Sequence, residues 1–279
     1  MTTPARLDRL SALLEGLKPR VDVMRPPIDA STLAFDATSD QRLHLHLVLR
    51  GRVRLQADGM ADLSVEAPAI LACRANQAHT LTADSPLALA SLMCATASLE
   101  GPVASLLLDE FSAPLAVPLH DADASLGHVL QLIASELLEP RCGQPALLER
   151  AGDILFIGLL RHLVAQPRTS SGLFNGLADP RIAGALVAMH AAPQDNWTLE
   201  RLATEAGMSR TAFATRFREV MRHPPGKYLG QLRLSIAHRA VASGLGLKRA
   251  ARDSGYASVS ALSRALSRTR LAQSPGVTP

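Results

Sequence analysis

Aromatic side chains are scarce in this chain: one Trp, two Tyr and six Phe among 279 residues. Leucine and alanine must therefore fill its cores, and that bias by itself points to no function. Cysteine is equally sparse. Cys73, Cys94 and Cys142 are an odd number, which argues against a disulfide framework. No apolar run follows a basic start at the N terminus. MTTPARLDRLSALLEGLKPR is charged and amphipathic instead, so no signal peptide is read and a cytoplasmic protein is expected. The most apolar stretch, residues 154–165, is short and contains Arg161 and His162, so it cannot span a bilayer and no membrane partner is expected. Acidic residues thin out towards the C terminus. From residue 181 onward fifteen Lys and Arg stand against five Asp and Glu, whereas the preceding 180 residues hold fourteen against twenty. The whole-chain charge of +4 hides that division. A basic module on an acidic body is what a phosphate-binding unit attached to a domain of another kind should show, because counterion release makes Lys and Arg the main source of non-specific DNA affinity.

The basic third contains WTLERLATEAGMSRTAFATRFREVMRHPP, residues 197–225, which reads as two short helices around a tight turn. Leu199, Leu202, Ala203 and Ala206 recur at helical spacing behind Thr198 as N-cap, and Gly207 stops that helix. Ser209 caps a second helix with an apolar stripe of Ala212, Phe213, Phe217 and Val220, ended by Pro224 and Pro225. Arg210, Thr211, Ala214, Thr215 and Arg218 are expected on its outward side, where a helix of this diameter fits the major groove.

These residues, followed by PPGKYLGQLRLSIAHRAV, GYASVSALSRALSR and SPG, resemble the DNA-binding domain of the AraC family of transcription regulators. The resemblance implies two helix-turn-helix units joined by a long helix over residues 227–243. It also implies DNA-facing residues Arg210, Thr211, Ala214, Thr215, Arg216 and Arg218 in the first unit and Val259, Ser260, Ser263 and Arg264 in the second. Within the connecting helix Arg233 and Arg239 are expected to stay exposed. The second unit departs from the family pattern: Leu262 and Leu266 stand for aromatic residues, Ala250 for an Ile, and one residue is added before Ser-Pro. Its core is expected to be under-filled and its contacts to be mainly with phosphate.

The N-terminal body has another texture. Residues 7–17 read as a short amphipathic packing helix, and residues 21–96 as short β-type runs separated by turns. In LHLHLVL the period of two puts His44 and His46 on one face and Leu43, Leu45 and Leu47 on the other. HLVLRGRVRL, APAILACRANQAHTL and the later Cys94 resemble the cupin-type sensor domain of one branch of AraC regulators. Catalytic cupins carry a Glu where Arg50 stands and a Gly where Asn76 stands, which argues against an enzyme. His46, His79 and Cys94, with His44 nearby, remain as a possible zinc site, since imidazole and thiolate suit Zn²⁺ and a zinc-bound thiolate is open to oxidation. The same residues also read as hydrogen-bonded barrel wall and small core, and Cys73 and Cys142 read as structural.

Two apolar stripes follow over residues 121–166. The second covers more of its helix than one packing face needs, so a homodimer interface is expected, as the family resemblance also implies. The fold class is therefore α+β: a cupin-like β-barrel with packing helices over residues 1–166, a linker over 167–180 that is most turn-rich at 166–172, and an all-α double helix-turn-helix domain over 181–279. The expected function is sequence-specific DNA binding by a transcription regulator, an activator in the family pattern, whose barrel senses a small molecule, metal or oxidant. RNA polymerase is a partner implied by the resemblance. The alternative is a metal-dependent cupin enzyme with a DNA-binding appendage.

Overall fold

Among the described residues the apolar alternation of 19–118 folds as nine antiparallel strands, and the two stripes behind it as paired helices. The computed structural model of the chain describes residues 9–26, 32–38, 41–85, 91–100, 103–120, 124–167 and 172–273. The Ser-Pro-Gly motif at 274–276 and the segment 168–171 of the expected linker lie outside them. One sheet runs β1 (Pro19–Met24), β8 (Leu92–Leu99), β3 (Arg42–Val48), β6 (Ala69–Arg74), β9 (Leu115–Pro118). The other runs β2 (Thr32–Phe35), β7 (His79–Ala83), β4 (Arg52–Ala57), β5 (Leu63–Glu66). Between them lies a core of Leu33, Val53, Leu55, Leu71, Cys73, Leu81, Leu92 and Cys94. Strand β3 is buried on both faces: Leu43, Leu45 and Leu47 have no exposed surface, and neither has His46. A strand buried on both sides can carry polar groups only where partners meet them.

Residues 124–165 form α3 (Ala124–Leu138) and α4 (Gln144–Ala165), after a short α2 (Ala104–Leu108) that the hydrophobic pattern did not signal. Helix α4 packs on β1 through Gly152, where a Cβ would stand 2.7 Å from the Val21 carbonyl oxygen. Its Leu155, Phe156, Leu159, Leu160 and Leu163 are buried within the chain, so most of the apolar excess is spent internally; Leu132, Leu138 and Ile154 remain exposed.

The chain divides into two compact units, Leu17–Gln166 and Pro167–Pro279 together with Met1–Gly16. Two expected boundaries shift accordingly. The first helix, α1 (Arg9–Leu17), groups with the C-terminal unit, where the Arg9 guanidinium donates to the Leu177 and Ala178 carbonyls at 2.6 and 3.2 Å. Part of the expected linker is also a helix, α5 (Leu173–Ala178), because Leu173, Phe174 and Leu177 supply an apolar face for the next helix. The C-terminal unit continues with α6 (Pro180–Ala191), α7 (Leu199–Glu205), α8 (Arg210–Met221), α9 (Pro225–Ala242), α10 (Leu247–Asp253) and α11 (Val259–Gln273). Asp179, Thr198, Ser209 and Ser258 each cap the helix that follows, their side-chain oxygens accepting backbone N–H groups of the first turn. Gly207 and Gly255 take positive φ, +60° and +77°, at the turn of each unit. Among the described residues no helix is long and apolar enough to cross a membrane.

Candidate sensing site and nucleic-acid interface

Register brings the barrel's polar groups together. On β3, His46 stands opposite Cys94 of β8, and His44 opposite Cys73 of β6. His79, at the start of β7, meets them from the other sheet, so that ligand atoms of His44, His46 and His79 lie within 4.8 Å of one another. The two ring nitrogens of His46 have different neighbours. Nε2 lies 2.9 Å from His79 Nε2 and 3.8 Å from Cys73 Sγ, while Nδ1 lies 3.3 Å from Cys94 Sγ. Cys73 Sγ is also 3.4 Å from His79 Nε2. Phe35 stacks on the His79 ring at 4.9 Å between centroids, 6° from parallel, and closes one side of the cluster.

The hydrogen-bond pattern sets the tautomers. His79 Nδ1–H donates to the Gln77 carbonyl at 2.9 Å, which leaves its Nε2 as an acceptor. The facing His46 Nε2 must then carry a proton, and His46 Nδ1 accepts from the Cys94 thiol. Desolvation lowers all three imidazoles: His44 to about 4, His46 well below its ordinary value with His79 and His44 adding to the effect, and His79 against an opposing contribution from its bond to Gln77. The cluster is neutral at pH 7, the form in which imidazole binds a metal. Burial pushes the Cys73 and Cys94 thiols up to about 12. His44 Nδ1 is buried with no hydrogen-bond partner among the described residues. A buried, unpaired nitrogen beside two converging imidazoles is what a cation would satisfy. The residues present fit a divalent metal.

Of the expected set, His46 and His79 meet, whereas Cys94 contacts the ring nitrogen that points away from them. Cys73, read as structural, stands at the converging side. Its sequence neighbours gave no sign of this, since only the pairing of β6 with β3 brings it there. Arg50, at the position of a cupin Glu, is exposed in the turn after β3. Cys73 and Cys94 sit on the two strands flanking β3, two spacings or about 9.5 Å apart across the sheet and offset by two residues along it, beyond the Cα separation a disulfide tolerates.

In the C-terminal unit, Phe213, Phe217, Val220 and Met221 form the buried stripe of α8. Ala212, expected in that stripe, is exposed, because a helix places it about 100° from Phe213 on the flank. Thr211, Thr215 and Arg218 lie exposed on the opposite side, with Ala214 half-buried at its edge. Arg216 turns to another flank and pairs with Asp179 at 2.9 Å, tying α8 to the cap of α6. Burial alone would raise the Asp179 carboxyl, but hydrogen bonds from Ile182 N, the Arg216 guanidinium and Arg181 N hold it below the usual range. Arg210 pairs with Glu200 at 3.0 Å.

In the second unit Val259, Ser260 and Arg264 are exposed and Ser263 is half-buried. The core behind α11 is small, built of Ala237, Ala250, Ala251 and Leu262, with Leu266 and Tyr256 partly buried against it. Arg233, expected to be exposed, is half-buried. It donates to the Pro193 and Asp195 carbonyls at 2.8 and 2.7 Å, and so grips the loop between α6 and α7 from the connecting helix.

Two family models match the chain, one described as a cupin over residues 8–165 and one as a helix-turn-helix domain over 202–278. The HTH-type transcriptional regulator AlkR of Acinetobacter baylyi is 33% identical over 168 residues, 58% of this chain and 55% of that protein. A putative AraC-like transcription regulator of Streptomyces lividans is 35% identical over 174 residues, 61% and 57% of the two chains. The matched segments thus span a little over half the length of these relatives. Among solved structures, ToxT of Vibrio cholerae with an unsaturated fatty acid bound aligns over 90% of each chain at 16% identity and a TM-score of 0.38.

Proposed function

Since this chain belongs to the AraC family of regulators with an N-terminal cupin domain, we propose that it is a sequence-specific DNA-binding transcription regulator whose barrel senses a divalent metal. It acts by binding rather than as an enzyme. The observation that carries the DNA-binding half is the pair of capped helices, α8 and α11, each with small polar or basic residues outward, inside the basic third of the chain. Two such helices on one connecting helix reach major-groove segments about one helical turn, roughly 34 Å, apart. DNA binding places the protein in the compartment that holds the DNA. Selection of binding sites from a random duplex library should return a motif with two conserved segments at that spacing. A pool with no enriched sequence would overturn the reading.

Support for the metal-sensing half comes from the three neutral, converging imidazoles and the unpaired His44 Nδ1. A bound cation would supply a fixed positive charge that both sheets contact. Protein purified without chelator should carry about one zinc-class ion per chain by mass spectrometry, and His79→Ala should lose it. Equal content in both proteins, or none in either, counts against the site. We also propose that the protein pairs as a homodimer through the exposed apolar residues of α3 and α4, and that RNA polymerase is its partner at the promoter.

A further inference from the structure

We infer that Cys73 completes the barrel's metal site as a thiolate ligand, beside His46, His79 and His44, with Cys94 outside the coordination shell. This rests on the metal-binding reading above and assigns its donor set.

The geometry is specific. In a tetrahedral zinc site with Zn–N of 2.0–2.1 Å and Zn–S of about 2.3 Å, two nitrogens stand about 3.4 Å apart, and a nitrogen and a sulfur about 3.6 Å. The triangle of His46 Nε2, His79 Nε2 and Cys73 Sγ has edges of 2.9, 3.4 and 3.8 Å. It is one face of such a tetrahedron to within about half an ångström, the nitrogen–nitrogen edge being the short one. His44, at the strand position opposite Cys73, has a ligand atom within 4.8 Å of those of His46 and His79, and is assigned as the fourth donor.

The surrounding groups hold this arrangement. The Gln77 carbonyl fixes His79 with Nε2 free. When the cation takes Nε2, the His46 proton shifts to Nδ1, and Nδ1–H donates to Cys94 Sγ at 3.3 Å, the thiol turning from donor to acceptor. Cys94 then orients the ligand instead of binding the ion. The Cys73 proton is released to solvent as the cation enters, and the charge of the ion stabilises the thiolate. Three imidazoles and one thiolate, with no carboxylate in the group, suit zinc or cobalt better than a hard oxygen-seeking ion.

The test uses full-length protein carrying Cys142→Ser, so that the exposed thiol does not compete. Metal is stripped and Co²⁺ titrated in, with the near-ultraviolet sulfur-to-cobalt charge-transfer band as readout. The band should appear at one equivalent, vanish in Cys73→Ser with at least a tenfold loss of affinity, and persist in Cys94→Ser. Visible cobalt bands without charge transfer, or a band lost only in Cys94→Ser, would overturn the assignment of Cys73 while leaving the metal site in place. No cobalt uptake at all would remove the metal reading and the ligand with it. Should Cys73→Ser fail to fold, X-ray absorption of the zinc-loaded parent decides the matter: one sulfur at about 2.3 Å supports the assignment, and a shell of nitrogen and oxygen alone refutes it.

Discussion

His190 shows how one half-buried side chain makes stability depend on pH. Its Nε2 lies 2.8 Å from the Tyr228 hydroxyl, joining α6 to the connecting helix α9, and burial lowers its pKa to about 4. Unfolded, it titrates near 6.5, so between pH 6.5 and 4 the unfolded state binds more protons than the folded one. The stability that depends on a neutral His190 is fully present above pH 6.5 and is lost as the pH falls towards 4. Urea unfolding of wild type should weaken by about 1–3 kcal/mol between pH 7 and 4.5 on this account, and His190→Gln should remove this contribution while leaving that of His44, His46 and His79. A second residue-level division concerns α8. Thr215 and Arg218 are both exposed on α8, and the proposed division gives Thr215 a base edge and Arg218 a phosphate. Thr215→Arg should change the preferred base at one site position with a similar salt slope, whereas Arg218→Ala should weaken all sequences alike and reduce the slope by about one. Binding assays over single-base site variants at several salt concentrations separate the two; a lost base preference in Arg218→Ala would reverse the assignment.

At the scale of elements, the relation of the two helix-turn-helix units depends on a contact that neither unit makes alone. The turn of the second unit lies so close to the loop of the first that a Cβ on Gly255 would stand 2.7 Å from Gln194 Cα and 3.0 Å from the Pro193 oxygen. Arg233 holds the same loop through two carbonyls. Arg233→Ala leaves both carbonyls without their donor and should cost about 1–3 kcal/mol. It should also blur spacing: a one-base-pair insertion between the two DNA segments should penalise the variant less than wild type. Equal penalties would mean that the connecting helix alone sets the geometry. The small, alanine-rich core of the second unit follows from the same region's sequence. Ala237, Ala250 and Ala251 bring the helices close but bury little surface, so the interlocked loop adds fixity that the core cannot.

At the scale of the whole molecule, the chain joins an acidic cupin unit to a basic helix-turn-helix unit, and pairing of two copies is proposed to occur on the acidic one. The exposed Leu132 and Ile154 are 40% and 53% accessible on helices that are otherwise well buried. If they form the dimer contact, the double variant Leu132→Lys, Ile154→Lys should sediment as a monomer at concentrations where wild type is a dimer, with its thermal midpoint little changed. A monomeric wild type, or a dimeric variant, would move the interface elsewhere.

Much of this was legible in the residues themselves. The caps at Thr198 and Ser209, the stop at Gly207, the connecting helix and the alternation of His44 and His46 are local patterns, written within a turn of helix or a few residues of strand. The charge division and the outward face of α8 follow from them. What only the tertiary structure decided are relations across long stretches of chain. The pairing of β6 with β3 put Cys73, not Cys94, on the converging side of the imidazoles. Packing against distant loops turned Arg233 and Arg216 from free cations into ties. The helix at 173–178 exists because its apolar face found a neighbour. Strand register and docking of separate segments are set by which burial satisfies the most groups at once, and no window of neighbouring residues contains that choice.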